Sequence, residues 1–400
     1  MRSLTFRLAC LLTPTLLTTA LLAQSPMFRG NAAHTGVYAA PQKTPEGKIA
    51  WEFEALNWES YRVLEDMDGG SVQPTTPAVV GDRLYFSAGP FFFAVGSDGK
   101  QVYRKRLPGR SLASPAVSGD LAYVPTDTGT LLALELADGS VRWGSPIGAP
   151  TFTRQVDPWD AYQSSPVVAE GFVYVGSHDG RIYAFDAGSG KQRWHFQTKH
   201  VVRATPAVAQ NRVFCGSFDG HVYALDATTG KLLWDVSTKT PDVPWNAVQG
   251  SCAVEGDIVY VGSRSTYLYA LDAATGKVLW RHSHDGSWVP SSPAVRDGIT
   301  FVGQSDGNKV VAADRAGKTL WTLATPTETF SSPALAGDVL YVGGNDNYNM
   351  KGKGCLLAVD AKTGKQLWNL ELPASVWASP VVAHNTVYVS CANGKVYAVR

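Results

Sequence analysis

Apolar residues in this chain alternate with polar ones far more often than they recur at helical spacing. Runs such as Phe172-Val173-Tyr174-Val175 and Ile182-Tyr183-Ala184-Phe185 are four or five residues long. Asp-Gly pairs, Asp179-Gly180 and Asp219-Gly220 among them, separate such runs and signal tight hairpins. No window of comparable length carries a 3.6-residue period, so the pattern predicts an all-β chain.

The runs belong to a repeated unit. Ser164 to Trp194 reads SSPVVAEGFVYVGSHDGRIYAFDAGSGKQRW, and Ala204 to Trp234 reads ATPAVAQNRVFCGSFDGHVYALDATTGKLLW. Each unit predicts four strands. A Ser/Thr-Pro opening leads into the first, a VYVG-type run forms the second, an LYALDA-type run the third, and a Thr-Gly-Lys turn precedes the fourth, which ends on Trp. The openings fall at Pro77, Pro115, Pro166, Pro206, Pro293, Pro333 and Pro380, with Cys252 in the same slot of the fifth unit. Their mean spacing of about 43 residues is the period of a four-stranded propeller blade.

Eight openings require eight fourth strands, yet the last unit stops after its third, at Lys395–Arg400. The missing strand lies at the other end, where Glu46-Gly47-Lys48-Ile49-Ala50-Trp51 stands with no three strands before it. The expectation is an eight-bladed β-propeller of four-stranded antiparallel blades over residues 46–400, its ring closed by the N-terminal strand completing the C-terminal blade. Seven blades with a degenerate copy is the competing count. Closure of this kind removes the open sheet edges of an unclosed array.

The twelve Trp then divide. Trp51, Trp143, Trp194, Trp234, Trp280, Trp321 and Trp368 hold the same slot in the outer strand, and Tyr103 fills the eighth. Large rings at that position are expected to dock neighbouring blades.

Composition narrows the function. With 35 Lys and Arg against 34 acidic residues, there is no basic surplus for binding nucleic acid as a main task. Length alone, at 400 residues, would suit two or three domains, but the repeat argues for one ring. Arg2 and Arg7, the apolar run Leu8–Leu22 and Ala23-Gln24 form a secretory-signal pattern, with cleavage after Ala23 expected and Ala20 as the second choice. The run is too short to span a bilayer and Pro14 interrupts it, so no span is expected in the mature chain. Residues 1–23 are thus read as signal and 24–45 as an N-terminal strap. Cys215, Cys252, Cys355 and Cys391 remain after processing, with no metal-ligand spacing and no pairing that the sequence fixes.

The xxDGxLYALDAxTGKxxW pattern resembles the pyrroloquinoline-quinone-like (PQQ-like) propeller repeat, over about residues 46–400. The resemblance implies one of two branches. Quinoprotein dehydrogenases hold pyrroloquinoline quinone and calcium on the ring axis. The BamB-type outer-membrane assembly factor is a cofactor-free periplasmic propeller that scaffolds other proteins. The Cys-Cys pair of the alcohol-type dehydrogenases is absent, since no two Cys are adjacent. The lipobox of the BamB type is absent too, because Cys10 stands at the start of the apolar run instead of following it, and Arg7 sits where a lipobox wants Leu. The segment Met27-Phe28-Arg29-Gly30-Asn31-Ala32-Ala33-His34-Thr35-Gly36 is similar to a leader found before the ring in other bacterial members, and is read as a strap.

Topology places the connections from strand four to the next strand one on the same face as the two-to-three turns. Length variation concentrates there, at Glu52–Thr75, Gly144–Ser164, Thr238–Gly250, Arg281–Ser291, Asn369–Ala378 and the Asn345–Gly354 insertion. Trp58, Trp159, Trp245, Trp288 and Trp377, with Tyr61, Tyr162 and Phe330, lie in these connections. They are candidates for a protein-binding face, a small-molecule pocket or plugs of their own loops. Arg110, Arg154, Lys199, His200 and Arg203 are near the same face, and Arg203 joins the candidate list. Asp179, Asp219 and Asp306 are read as turn formers. Asn345–Asn349 offers oxygen ligands for calcium, although a plain loop is the simpler reading. No GxSxG, HExxH or P-loop motif occurs.

The expectation is an exported, non-catalytic, monomeric scaffold that binds a protein partner through its loop-rich face and needs no cofactor. A compact quinoprotein dehydrogenase using quinone and calcium, and a periplasmic small-ligand or carbohydrate binder, are the alternatives.

Overall fold

The computed structural model describes residues 25–57, 73–148, 163–241, 243, 245–346 and 352–400. Among them, eight four-stranded antiparallel units form eight separate sheets, and no helix occurs. Blades 1 to 7 run in chain order, with inner strands beginning at Ala78, Ala116, Val167, Ala207, Ala253, Ala294 and Ala334. Blade 8 combines Val381–Ala383, Thr386–Ser390 and Lys395–Val399 with Ile49–Glu54, which pairs antiparallel to Lys395–Val399. Trp51 stands opposite Ala398 and Phe53 opposite Val396. The ring therefore closes through the N-terminal strand, and the count is eight.

Position within the blade explains the burial. Second and third strands are buried through their middles, as in Arg181–Asp186, because neighbouring blades cover both faces. Outer strands keep one face in water. Each carries a register shift beside its aromatic slot, for example between Ala184 and Phe185 on the partner of Trp194. Such a bulge re-aims the following side chain.

The re-aimed rings make the seams. Indole Nε1 of Trp194 donates to Ala227 O of the next blade at 2.9 Å, and Trp234 donates to Ala273 O at 3.1 Å. Trp51, Trp143, Trp280, Trp321 and Trp368 repeat the contact with Ser97, Ala187, Arg315, Ala361 and Pro45, and Tyr103 Oη donates to Leu136 O. The ring lies flat on the turn glycine of the following blade. Gly230 has φ +69°, and a Cβ there would come within 2.5 Å of the Trp194 ring. Glycine is required twice at that position, by backbone and by contact. Behind the ring, Trp194 packs on Tyr174 of its own blade at 5.8 Å between centroids.

A second belt joins the inner strands. The hydroxyl before each opening proline accepts the backbone N–H of its counterpart one blade back, as in Ser251 N to Ser292 Oγ at 3.0 Å and Ser292 N to Ser332 Oγ at 2.9 Å. The belt runs from Ser114 through Ser165, Thr205, Ser251, Ser292, Ser332 and Ser379 to Thr76.

Residues 25–38 follow this belt around the axis. Ser25 bridges to Val79, and Val37–Tyr38 pair parallel with Leu335–Ala336 of blade 7. Chain 46–54 then crosses to the outside of blade 8. Cys215, Cys252, Cys355 and Cys391 are buried free thiols. Burial pushes the Cys252 thiol up to about 12.

Candidate functional site

The loop-bearing face is knitted by backbone bonds between the four-to-one connections and the two-to-three turns. Phe218 N donates to Val201 O at 3.0 Å, Arg264 N to Ala247 O at 2.9 Å, and Ser305 N to Trp288 O at 3.2 Å. Four side chains of these segments meet over blades 4 to 6. The Arg203 guanidinium lies 4.8 Å from the Phe218 ring centre, Arg264 lies 5.2 Å from the same ring, and Arg264 also covers Trp288 at 4.6 Å. The result is a stack of Arg203, Phe218, Arg264 and Trp288. His200 lies nearly parallel to Phe218 at 6.3 Å. Gln249 Oε1 accepts from Arg264 Nε at 2.9 Å and Nη2 at 2.8 Å, which sets the plane of that guanidinium. Both arginines are almost wholly buried. Cation–π contacts of this kind are each worth about 0.5–2 kcal/mol, the more so when desolvated.

In the connection that supplies Gln249, Trp245 is 65% exposed. Asn246 Oδ1 accepts Thr240 N at 2.9 Å, and its amide donates to Thr240 O at 3.2 Å and to Val243 O, so one side chain clamps the turn that presents the indole.

The other predicted residues separate. Phe330 and Trp377 are buried against each other with ring centres 5.0 Å apart, inside the core shared by blades 7, 8 and 1. They fill space beneath the face and offer little surface. Trp58, Tyr61, Trp159, Tyr162 and Arg154 lie outside the described residues, as do Asn347–Asn349. Arg110 pairs with Asp127 at 2.7 Å in blade 2. Lys199 N donates to Asp219 Oδ2, which also receives Tyr223 Oη at 2.7 Å, so this turn aspartate has work within the turn. Asn345 is spent on Glu328 and Phe330 N. Burial raises the Glu328 carboxyl above its usual range.

Phe218, Gln249 and Arg264 are absent from the sequence-based candidates. A signal was there. The blade 5 turn reads Ser263-Arg264-Ser265-Thr266, where blades 3 and 4 carry Asp-Gly. Ser265-Thr266 replace that pair, and Arg264 stands in the slot of His178 and Phe218, so the repeat marks this turn as altered without singling out Arg264.

On the axis, the Arg29 side chain donates to Pro333 O at 2.5 Å and Pro293 O at 2.9 Å. Among the described residues, no group of three or more His, Cys, Asp or Glu side chains is placed to hold a metal ion. No helix among them is long and apolar enough to cross a membrane.

Comparison with known proteins agrees with this architecture. The family described as "Outer membrane protein assembly factor BamB" matches residues 37–158, 153–286 and 219–400. The chain belongs to that family of PQQ-like propellers. A relative, the outer membrane protein assembly factor BamB of Yersinia pestis, is 29% identical over 182 residues, 43% of this chain and 44% of that protein. The chain spans less than half the length of the curated relatives it matches first. The structure of BamB from Moraxella catarrhalis superposes with a TM-score of 0.67 at 19% identity, covering 88% of this chain and 97% of that one. Quinohemoprotein alcohol dehydrogenase from Comamonas testosteroni superposes with a TM-score of 0.72 at 15% identity, covering 94% and 80%. At those identities the two structures share the fold alone.

Proposed function

We propose that this chain is an exported, non-catalytic scaffold that docks a protein partner on the loop-bearing face of blades 4 to 6, in the assembly of cell-envelope or outer-membrane proteins. The observation that carries the reading is Trp245, solvent-exposed in the connection that also supplies Gln249 to the Arg203–Phe218–Arg264–Trp288 stack. Trp and Arg dominate the energetics of protein interfaces, and rigid aromatics lose little entropy on binding. The BamB-type relatives support an assembly role. Residues 1–23 are read as the export signal, and N-terminal sequencing of the mature protein tests that.

The dehydrogenase alternative has less support. Quinone and calcium would sit on the axis, where this chain places its own residues 25–38. A divalent cation there would meet the Arg29 guanidinium in a low-dielectric bore. The described residues offer it no carboxylate cluster, so they do not fit the pair.

The test is a photo-crosslinking amino acid at position 245 and, as control, at Leu233 on the outer strand of blade 4. A single envelope-assembly component captured at 245 and not at 233 is the expected result. Trp245→Ala and Arg264→Ala should each weaken its binding ten-fold or more. Equal capture at both positions would defeat the reading.

A further inference from the structure

The leader that precedes the ring makes an unusual set of contacts. Six inner strands each donate the N–H of their second residue to it, in order around the axis. Val79 donates to Ser25 O, Val117 to Pro26 O, Val208 to Ala32 O, Val254 to Ala33 O, Val295 to Thr35 O and Leu335 to Gly36 O, all at 2.7–2.9 Å. These amides stand at one level on the bore-facing edges of six different sheets. An inner strand has no further strand to pair with, so each amide would otherwise be a buried donor without an acceptor. The ring thus presents a circular row of donors, and one segment, folded by turns at Met27–Gly30 and Asn31–His34, satisfies them.

Backbone bonds of this kind are indifferent to side chains. Selectivity comes from one residue. Arg29 is fully buried and reaches the carbonyls of Pro293 and Pro333 on blades 6 and 7, while Met27, two residues before it, packs in the core of blades 2 and 3. Its side chain therefore spans the bore. No carboxylate pairs with it among the described residues, and the two carbonyls are its anchors. The chain then returns over it. Gly36 N donates to Arg29 O, Gly36 has φ +65°, and a Cβ there would fall 1.9 Å from Arg29 Nη2. Only glycine fits against the seated guanidinium.

The connection to the rest of the protein is of a different kind. Ala39, Ala40, Gln42, Lys43 and Thr44 are exposed and belong to no strand. Segment and bore are thus joined by a solvent-facing linker, and the segment is held by its own contacts.

We propose that the bore of the ring is a peptide-binding site in its own right, that residues 25–38 are its built-in ligand, and that Arg29 is the side chain by which the bore selects it. The ligand class is a peptide that turns twice along the axis, with an arginine that crosses the bore and a glycine seven residues later that closes over it. The site is separate from the loop-bearing face and does not rest on the function proposed for that face.

The experiment uses the full chain with a site-specific protease sequence inserted between Gln42 and Lys43. After cleavage, the released leader should stay with the ring through size-exclusion chromatography. It should then exchange with a fluorescent synthetic peptide of residues 25–42, while the same peptide carrying Arg29→Ala binds about 100-fold more weakly. Immediate loss of the leader with an unchanged melting temperature, or equal exchange of both peptides, would overturn the proposal. Should cleavage unfold the ring, hydrogen exchange on uncut protein decides. Arg29→Ala and Gly36→Ala should speed exchange at the six inner-strand amides about 100-fold, but not at third-strand amides such as Tyr183. Unchanged protection in both variants would again overturn it.

Discussion

The seams between blades and the loop-bearing face are both rich in Trp, and they use it in opposite ways. In the seams, every ring meets the same partners: a carbonyl of the next blade, a turn glycine beneath it and, in seven of them, an aromatic of its own second strand. Among the described residues of the loop face, the three Trp have three different environments. Trp377 is buried on Phe330, Trp288 is half-buried under Arg264, and Trp245 stands in solvent. A residue that recurs with the repeat inherits its contacts from the repeat. A residue in a connection of variable length does not, so its role depends on what its own loop happens to meet.

Breaking a seam should have the largest effect. Trp194 is 8% exposed, and Trp194→Ala should cost about 3–5 kcal/mol in denaturant unfolding through the cavity it leaves and the lost bond to Ala227 O. Gly230→Ala, on the other side of the same contact, should destabilise in the same direction. A seam variant that melts like the parent would show that the rings are not what joins the blades.

Next comes acid. His34 in the bore and His284 on the loop face are both held down at about 3, first by burial. Arg29 adds to the effect at His34, and His282 and Lys309 add to it at His284. Both must be neutral to fold. Between pH 6.5 and about 3 the unfolded chain binds more protons than the native one, so stability is whole above 6.5 and falls as pH falls. The slope should be about 1.4 kcal/mol per pH unit for each histidine. His284→Gln should remove one of the two contributions from the pH dependence of the unfolding midpoint. An undiminished slope would mean that His284 is not titrating in this range.

Smaller again is the inner belt. Ser292→Ala leaves the buried N–H of Ser251 without its acceptor and should cost about 1–3 kcal/mol by the same measurement. Smallest is Trp245→Ala, which removes no packed contact and should change stability by less than about 0.5 kcal/mol while weakening partner binding. A large loss of stability there would move Trp245 from the loop-face group into the seam group.

Much of this was legible before any coordinates. Recurrence of the opening proline and the terminal Trp, each in seven of eight units, with Asp-Gly hairpins in several, carried the strand count and the blade count. The orphan Gly47-Lys48-Ile49-Ala50-Trp51 carried the closure, since a motif without its own blade must complete another. The candidate site was legible only in part. Trp245, Trp288 and Arg203 were visible as loop residues, but Phe218 and Arg264 occupy the variable turn slot that holds His178 in blade 3, which the repeat does not mark. Their pairing joins turns of two blades about forty-five residues apart, a distance no local pattern spans. Phe330 and Trp377 illustrate the reverse case. They sit in the same class of loop as Trp245, yet their loops fold inward over blades 7 and 8.

Sequence by itself determined the period, the ring and its seam, because each depends on contacts that every unit repeats with its neighbour. Tertiary structure alone decided what fills the bore and which loop residues meet. The leader has no period, and its strand-like pairing exists only because six separate inner edges converge on one axis. In the sequence Arg29 is one residue of a segment read only as a strap. It becomes a buried strut because closing the ring brings the carbonyls of Pro293 and Pro333 within its reach.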